Sequence, residues 1–162
     1  MLVAVSIRDV VLIDRLDLSL GPGLTVLTGE TGAGKSILLD SLGLALGARA
    51  DAGLVRAGAA HAVVTAAFEP PPGHASASLL AEHGLPAETP LTLRRIVQAD
   101  GRSRAFVNDA PVSVALLRRL GETLVEVEGQ FAQVGLADAA THLGLLDAFA
   151  GLEAERARLA GA

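Results

Sequence analysis

Gly29-Glu30-Thr31-Gly32-Ala33-Gly34-Lys35-Ser36 is the stretch from which the rest of the chain is read. It fits G-x-x-x-x-G-K-[ST] at every fixed position, and its flanks suit it. Before it, Leu24 to Leu27 reads as a short apolar strand of the fully buried kind. After it, Ser36 to Leu46 reads as a helix buried over most of its surface, apolar at Ile37, Leu38, Leu39, Leu42, Leu44 and Leu46 and ending near Gly47. Each residue type has a physical purpose. The glycines let the backbone curl so that successive N–H groups converge on phosphate oxygens. The helix N-terminus places partial positive charge beneath them. The lysine reaches the β- and γ-phosphates, and the hydroxyl after it ligates Mg²⁺.

The motif therefore implies a Mg-nucleotide site. Gly29, Glu30, Thr31, Gly32, Ala33 and Gly34 cradle phosphate, Lys35 supplies the cation and Ser36 the metal ligand. The alternative is a glycine-rich strand–helix turn that fits by chance. Basic-residue usage weighs against that: of the 13 Lys and Arg residues only Lys35 is a lysine. The position where a flexible point charge suits phosphate better than a planar fork is the one that departs from arginine.

Outward from the motif, Leu2 to Ile7 and Leu12 to Leu20 read as strands, the second alternating Leu16, Leu18 and Leu20 with Asp17 and Ser19. Gly21-Pro22-Gly23 is a turn. Gly47 to Ala60 reads as a loop with a short helical turn, Ala62 to Glu69 as a strand, and Ser76 to His83 as a helix. Leu91 to Gln98 and Ser103 to Val107 form a hairpin around Ala99-Asp100-Gly101-Arg102. Asn108 to Pro111 is a further turn. Ser113 caps a helix running to about Gly121. Thr123 to Val127 reads as a strand, Glu128 to Val134 as a polar loop, and Asp138 caps a helix to Phe149. From Gly151 to Ala162, Glu153/Arg156 and Glu155/Arg158 stand three apart among Ala and Leu, as in an exposed helix. The organisation expected is a lobe over 1–150 and the start of a long helix over 151–162.

Composition excludes several classes. The 162 residues suit one domain of ordinary size, and 51% apolar against 19% charged residues supports a packed core. With 30 alanines and 2% aromatics, packing falls to small aliphatic side chains, and a stacking platform for single strands is excluded. A net charge of −5 rules out coating nucleic acid by bulk charge. The absence of cysteine removes disulfide and thiolate-metal designs and suits a reducing cytoplasm. Charges at Arg8, Asp9, Asp14, Arg15 and Asp17 break up any signal-peptide core, and no apolar run approaches the ~18 residues of a membrane span.

The single lysine also excludes a small GTPase, whose base-reading motif needs another. Two amphipathic strands before the motif suggest an antiparallel β layer flanking the nucleotide. No apolar strand ends in Asp or Asp-Glu. Leu124 to Glu128 is interrupted by glutamates, and Leu143 to Asp147 reads as helix. The chain thus carries phosphate and metal ligands without the carboxylates that place an attacking water. A small P-loop kinase and a non-catalytic nucleotide-binding module stand as alternatives.

Leu27 to Asp40, Leu46-Gly47-Ala48-Arg49-Ala50-Asp51 with Leu54-Val55-Arg56, and Leu93-Arg94-Arg95 through Asp100 to Asn108 together resemble the RecN family of SMC-like bacterial DNA repair ATPases. Leu124-Val125-Glu126-Val127 with Gly129-Gln130 resembles that family's Q-loop region, and Leu145 to Gly151 its entry to a coiled coil. The resemblance implies a particular fold class. This is α/β, the N-terminal lobe of an ABC-type, SMC-like ATPase head with a flanking antiparallel β layer. It implies ATP and Mg²⁺ as ligands. The partners implied are the C-terminal half of the same head, a second head in an ATP-sandwiched homodimer, and DNA, with no membrane. The setting implied is the cytoplasm, at the nucleoid, and recombinational repair of double-strand breaks.

By the same resemblance Gln130 ligates Mg²⁺ or the water at the γ-phosphate, and Arg56 approaches nucleotide or DNA, against readings of both as solvated loop residues. Around Gln130 the family's histidine-rich stretch is replaced by Glu128, Phe131, Ala132 and Gln133. Arg8 is a candidate flank for the base. Arg94, Arg95, Arg102 and Arg104 form the densest basic cluster, read either as a DNA phosphate contact or as a solvated face with an ion pair. Lacking its own Walker B and signature motifs, the chain alone is expected to turn ATP over poorly. It is also expected to expose apolar surface where the other half docks.

Overall fold

The structure is a computed structural model and describes residues 1–29, 34–126, 139–152 and 158–159. Six strands form one antiparallel sheet in the order β2-β1-β3-β4-β5-β6. They are β1 (Leu2–Val10), β2 (Ile13–Ser19), β3 (His61–Phe68), β4 (Leu91–Gln98), β5 (Ser103–Val107) and β6 (Ala110–Val112). The helices are α1 (Lys35–Ala45), α2 (Ala75–Glu82), α3 (Val114–Leu124) and α4 (Ala139–Ala150), with a 3-10 turn at Ala52–Leu54. Residues Met1–Val125 form one compact unit and Glu126–Ala162 a second.

Alternation along the strands makes the sheet one-sided. In β4, Leu91, Leu93, Arg95 and Val97 are buried, whereas Thr92, Arg94, Ile96 and Gln98 lie on the other face. The buried face continues through Val5 and Ile7 of β1 and Ala62, Val64, Ala66 and Phe68 of β3. Onto it pack Leu44 and Ala45 of α1, Leu79 and Leu80 of α2, and Leu116, Leu117 and Leu120 of α3. The alanine-rich floor of β3 lets α1 lie close to the sheet. Ser113 caps α3 as its sequence predicts, its Oγ accepting from Leu116 N at 3.1 Å.

Three sequence expectations are corrected. Leu24 to Leu27 is not a buried strand: no strand lies beside it, and Leu24 and Val26 are 91% and 68% exposed. A buried strand requires hydrogen-bonded neighbours, and the strands described here pair only with one another. Helix α1 is buried only in its C-terminal half, at Ser41, Leu44 and Ala45, with Leu39 56% exposed. The third is the strand over Thr123 to Val127. Thr123 and Leu124 finish α3, where Thr123 Oγ1 donates to Leu120 O and Val125 N to Gly121 O. Of that stretch Val127 lies outside the described residues. The turn at Asn108–Asp109, both with positive φ, also returns into a strand the sequence did not show, β6.

The second unit holds α4, whose Leu143, Leu146 and Phe149 are exposed. Leu143 to Asp147 is helical, as its periodicity predicts. The capping residue Asp138, the loop Glu128 to Val134 and most of Gly151 to Ala162 lie outside the described residues. Among the described residues no helix is long and apolar enough to cross a membrane.

Helices α1 and α3 meet through two glycines. A Cβ on Gly121 would stand 2.7 Å from the Leu46 carbonyl oxygen, and one on Gly47, at φ +93°, 2.6 Å from Arg118 N. Gly121→Ala is therefore expected to destabilise the chain by about 1–3 kcal/mol, the cost of overpacking a tight seam. The shift of the urea midpoint at unchanged slope measures it. An unshifted midpoint contradicts the seam.

Candidate nucleotide site

Gly34, at φ +91°, ends the glycine-rich loop and stands at the N-cap of α1. Only a residue without Cβ adopts that conformation cheaply. No side chain caps α1 and no acidic residue occupies its first turn. The positive end of the helix is thus not neutralised from within, which is what an anion requires. Lys35 and Ser36 open the helix, and Lys35 Nζ donates to the Gly29 carbonyl. Glu30, Thr31, Gly32 and Ala33 lie outside the described residues, as does Gln130.

Beside Lys35 runs a groove of about 460 Å³ between the β1–β2 hairpin and the start of α1. Leu12, Ile13, Leu16, Leu18, Leu27 and Leu38 make its apolar walls. Asp14, Arg15, Thr28, Gly34 and Lys35 supply its polar groups. A nucleotide matches that division, with phosphates at the helix N-terminus and base against the leucines. The residues present fit the phosphate and its metal: Lys35 would meet the phosphates and the Ser36 hydroxyl would ligate Mg²⁺.

The hairpin wall is braced from its far side. Arg8 donates to both Asp17 oxygens at 2.8 and 3.0 Å and to the carbonyls of Ile7 and Leu16. Arg15 Nε adds a third contact to Asp17 at 3.0 Å. These guanidinium hydrogen bonds hold the Asp17 carboxyl down to about 2. Arg8 therefore does not line the groove; it locks the register of its wall.

Arg56 also stands behind the groove. Its Nη1 lies 2.8 Å from Asp14 Oδ1 and 3.6 Å from Asp9 Oδ1. Asp14 carries no local sequence signal, yet it lines the groove. Its recruitment depends on pairing Asp14 with Arg56, 42 positions apart.

The arginine cluster divides. Arg94 stacks over the Phe106 ring at 4.7 Å and pairs with Asp109 at 2.8 Å. Arg102 pairs with Asp100 at 2.6 Å, and Arg104 is exposed. Arg95 turns to the opposite face of the sheet and is 3% exposed. Its Nη2 donates to Ser103 Oγ at 2.9 Å, but Nε and Nη1 have no partner. Burial pushes its pKa below the ordinary arginine value. The four do not share one basic face.

Comparison with known proteins bears on the fold. The AAA domain profile matches residues 4–68. By backbone, the chain is similar to an SMC ATPase head chain (TM-score 0.62, 18% identity, 88% of this chain and 97% of that one). It is likewise similar to the SMC head domain of Thermotoga maritima (TM-score 0.55, 18% identity, 73% and 41%). The recombination mediator RecF gives TM-score 0.57 at 15% identity, over 72% and 29%. The fold is that of the N-terminal lobe of an SMC-like head.

The sequence comparisons narrow this. The chain is 44% identical over 156 residues to the DNA repair protein RecN of Vibrio cholerae, covering 93% of this chain and 27% of that protein. It is 40% identical over 158 residues to RecN of Bacillus subtilis, covering 97% and 27%. The chain is thus similar to RecN proteins over nearly its whole length and spans about a quarter of the length of the curated relatives it matches.

Arg95 yields a test of its own. A buried guanidinium with two unpartnered nitrogens costs more than an apolar side chain of similar length. Arg95→Met is expected to leave the urea midpoint unchanged or raise it. A clear fall means that the guanidinium stabilises the fold.

Proposed function

We propose that this chain is the Walker A half of a RecN-type ATPase head. It holds Mg-ATP in the groove at Lys35 while the C-terminal half completes the site. The observation that carries this is the uncapped, acid-free N-terminus of α1 with Lys35 and Ser36 on its first turn, opening into a groove of nucleotide character. In the mechanism the loop and helix bind and orient the phosphates, Lys35 offsets charge on the β- and γ-oxygens, and Ser36 holds the metal. A Mg²⁺ held there by the Ser36 hydroxyl would supply charge neutralisation at the phosphates. Gln130 is the proposed second metal or water ligand.

The exposed segment at Leu24, Val26 and Leu27, with Leu39 beside the loop in sequence, is proposed as the seat of the C-terminal half. An apolar stretch of strand-forming residues before the loop finds its sheet there. Closure on ATP then brings two heads together, each nucleotide held between Walker A of one and the signature motif of the other. One structural relative is described in terms of ATP-driven dimerization and DNA stimulated activation of SMC ATPases, which supports that reading. The relatives named DNA repair protein RecN support a role in DNA repair; we place it at double-strand breaks, in the cytoplasm and at the nucleoid.

Phosphate release from Mg-ATP tests this directly. The chain alone is expected to show little turnover. Adding the C-terminal half of the head is expected to raise it at least tenfold, and Lys35→Ala to abolish the gain. Brisk turnover by the chain alone, lost in Lys35→Ala, identifies a complete NTPase and overturns the half-site. No gain on adding the other half favours a non-catalytic binding module.

A further inference from the structure

Among the described residues, the groove is lined by one carboxylate. Asp14 lines it together with Lys35, yet its side chain is 73% exposed. It is not loosely placed. Arg56 Nη1 holds Oδ1 at 2.8 Å, and Arg56 itself is stitched to the hairpin by its backbone. Arg56 N donates to Asp9 O at 2.9 Å, Val11 N to Leu54 O at 2.9 Å, and Val10 bridges Val55. The hairpin turn is strained as well: Asp9 has φ 53° and Val11 φ 50°. Positive φ at a β-branched residue is costly and persists where surrounding contacts impose it, a pattern that gathers at ligand sites.

A carboxylate beside a triphosphate is repelled unless it meets the uncharged part of the nucleotide. Carboxylates accept hydrogen bonds and cannot donate. The adenine edge offers an amine flanked by a ring acceptor that faces a carboxylate unfavourably. A ribose offers two adjacent hydroxyl donors. Dinucleotide-binding folds use an acidic side chain on ribose in this way. Arg56 fixes one oxygen of Asp14 and tempers its charge without removing its capacity to accept.

We propose that the Asp14 carboxylate, held at the groove by Arg56, accepts hydrogen bonds from the ribose hydroxyls of the nucleotide whose phosphates reach Lys35, so that the site selects ribonucleotides. Asp14 is the specificity-determining residue, and Arg56 is a positioning residue that acts through it. The inference rests on the reading of this groove as the nucleotide site and adds which part of the nucleotide the hairpin recognises.

Equilibrium dialysis of the 162-residue chain with radiolabelled Mg-ATP and Mg-2′,3′-dideoxy-ATP tests it. The wild type is expected to prefer ATP about tenfold, the factor that 1.4 kcal/mol represents. In Asp14→Ala the preference is expected to fall to near unity, through weaker ATP binding alone. Asp14→Asn, which keeps the shape, provides the same test if the alanine variant does not fold. Arg56→Gln is expected to lose most of the preference and Arg56→Lys to restore part of it. Lys35→Ala weakens both ligands together and keeps their ratio, which separates the two readings. A wild type without preference, or a preference that survives in Asp14→Ala and Asp14→Asn, overturns the ribose contact and leaves the Lys35 site standing. Binding of neither ligand, or binding unaffected by Lys35→Ala, overturns the nucleotide site and this inference with it.

Discussion

The close seat of α1 on the sheet is the constraint from which the rest of the 1–125 unit follows. It depends on small residues. Ala45 faces a β3 surface that includes Ala62 and Ala66, and the end of the helix passes α3 where Gly47 and Gly121 leave no room for a Cβ. The C-terminal half of α1 is fixed by these contacts, and the N-terminal half projects past the covered core toward the hairpin. A helix pinned at one end presents its other end in a defined place. That end carries Gly34, Lys35 and Ser36. Alanine abundance, which reads as mere composition, is thus the geometric condition for positioning the phosphate loop.

The wall opposite is built by electrostatics. Arg8, Arg15 and Asp17 lock the register of the β1–β2 hairpin on its outer side, and Arg56 with Asp9 and Asp14 fixes its turn. Exposed ion pairs singly contribute little to stability. Their value here is geometric, because a bidentate guanidinium holds a two-stranded wall at one register and so holds Leu16 and Leu18 on the groove side. The site is assembled from a packed helix end and a charge-braced hairpin, and among the described residues between Ser19 and Lys35 there is no regular secondary structure.

Where the residues carried a local signal, the sequence was legible. The apolar runs between turn residues located β3, β4 and β5 to within a residue, and Ser113 marked the start of α3. The phosphate loop and its lysine were legible because their chemistry is written in consecutive positions. Leu24 to Leu27 shows what a local signal omits. Its apolar run predicts burial, but burial belongs to whatever packs against a segment, and no described strand does. Arg94, Arg95, Arg102 and Arg104 show the same limit. Neighbours in sequence, they face opposite sides of a pleated strand or fold onto Asp109 and Asp100. Basic density along a chain is not basic density on a surface.

By itself, then, the sequence determined the G-x-x-x-x-G-K-[ST] motif ending at Lys35 and Ser36, the bounds of β4 and β5 and the RecN resemblance, since each is written in runs of consecutive residues. The tertiary structure alone decided that Asp14 and Arg56 meet at the groove, that Arg8 braces rather than lines it, that Arg95 is buried, and that the strand-like segment before the loop lies open. Those outcomes depend on pairings between residues far apart in the chain, such as Val10 with Val55 and Arg56 with Asp14. Strand register and helix seating set such pairings through the packing of the whole unit, and no local periodicity records them.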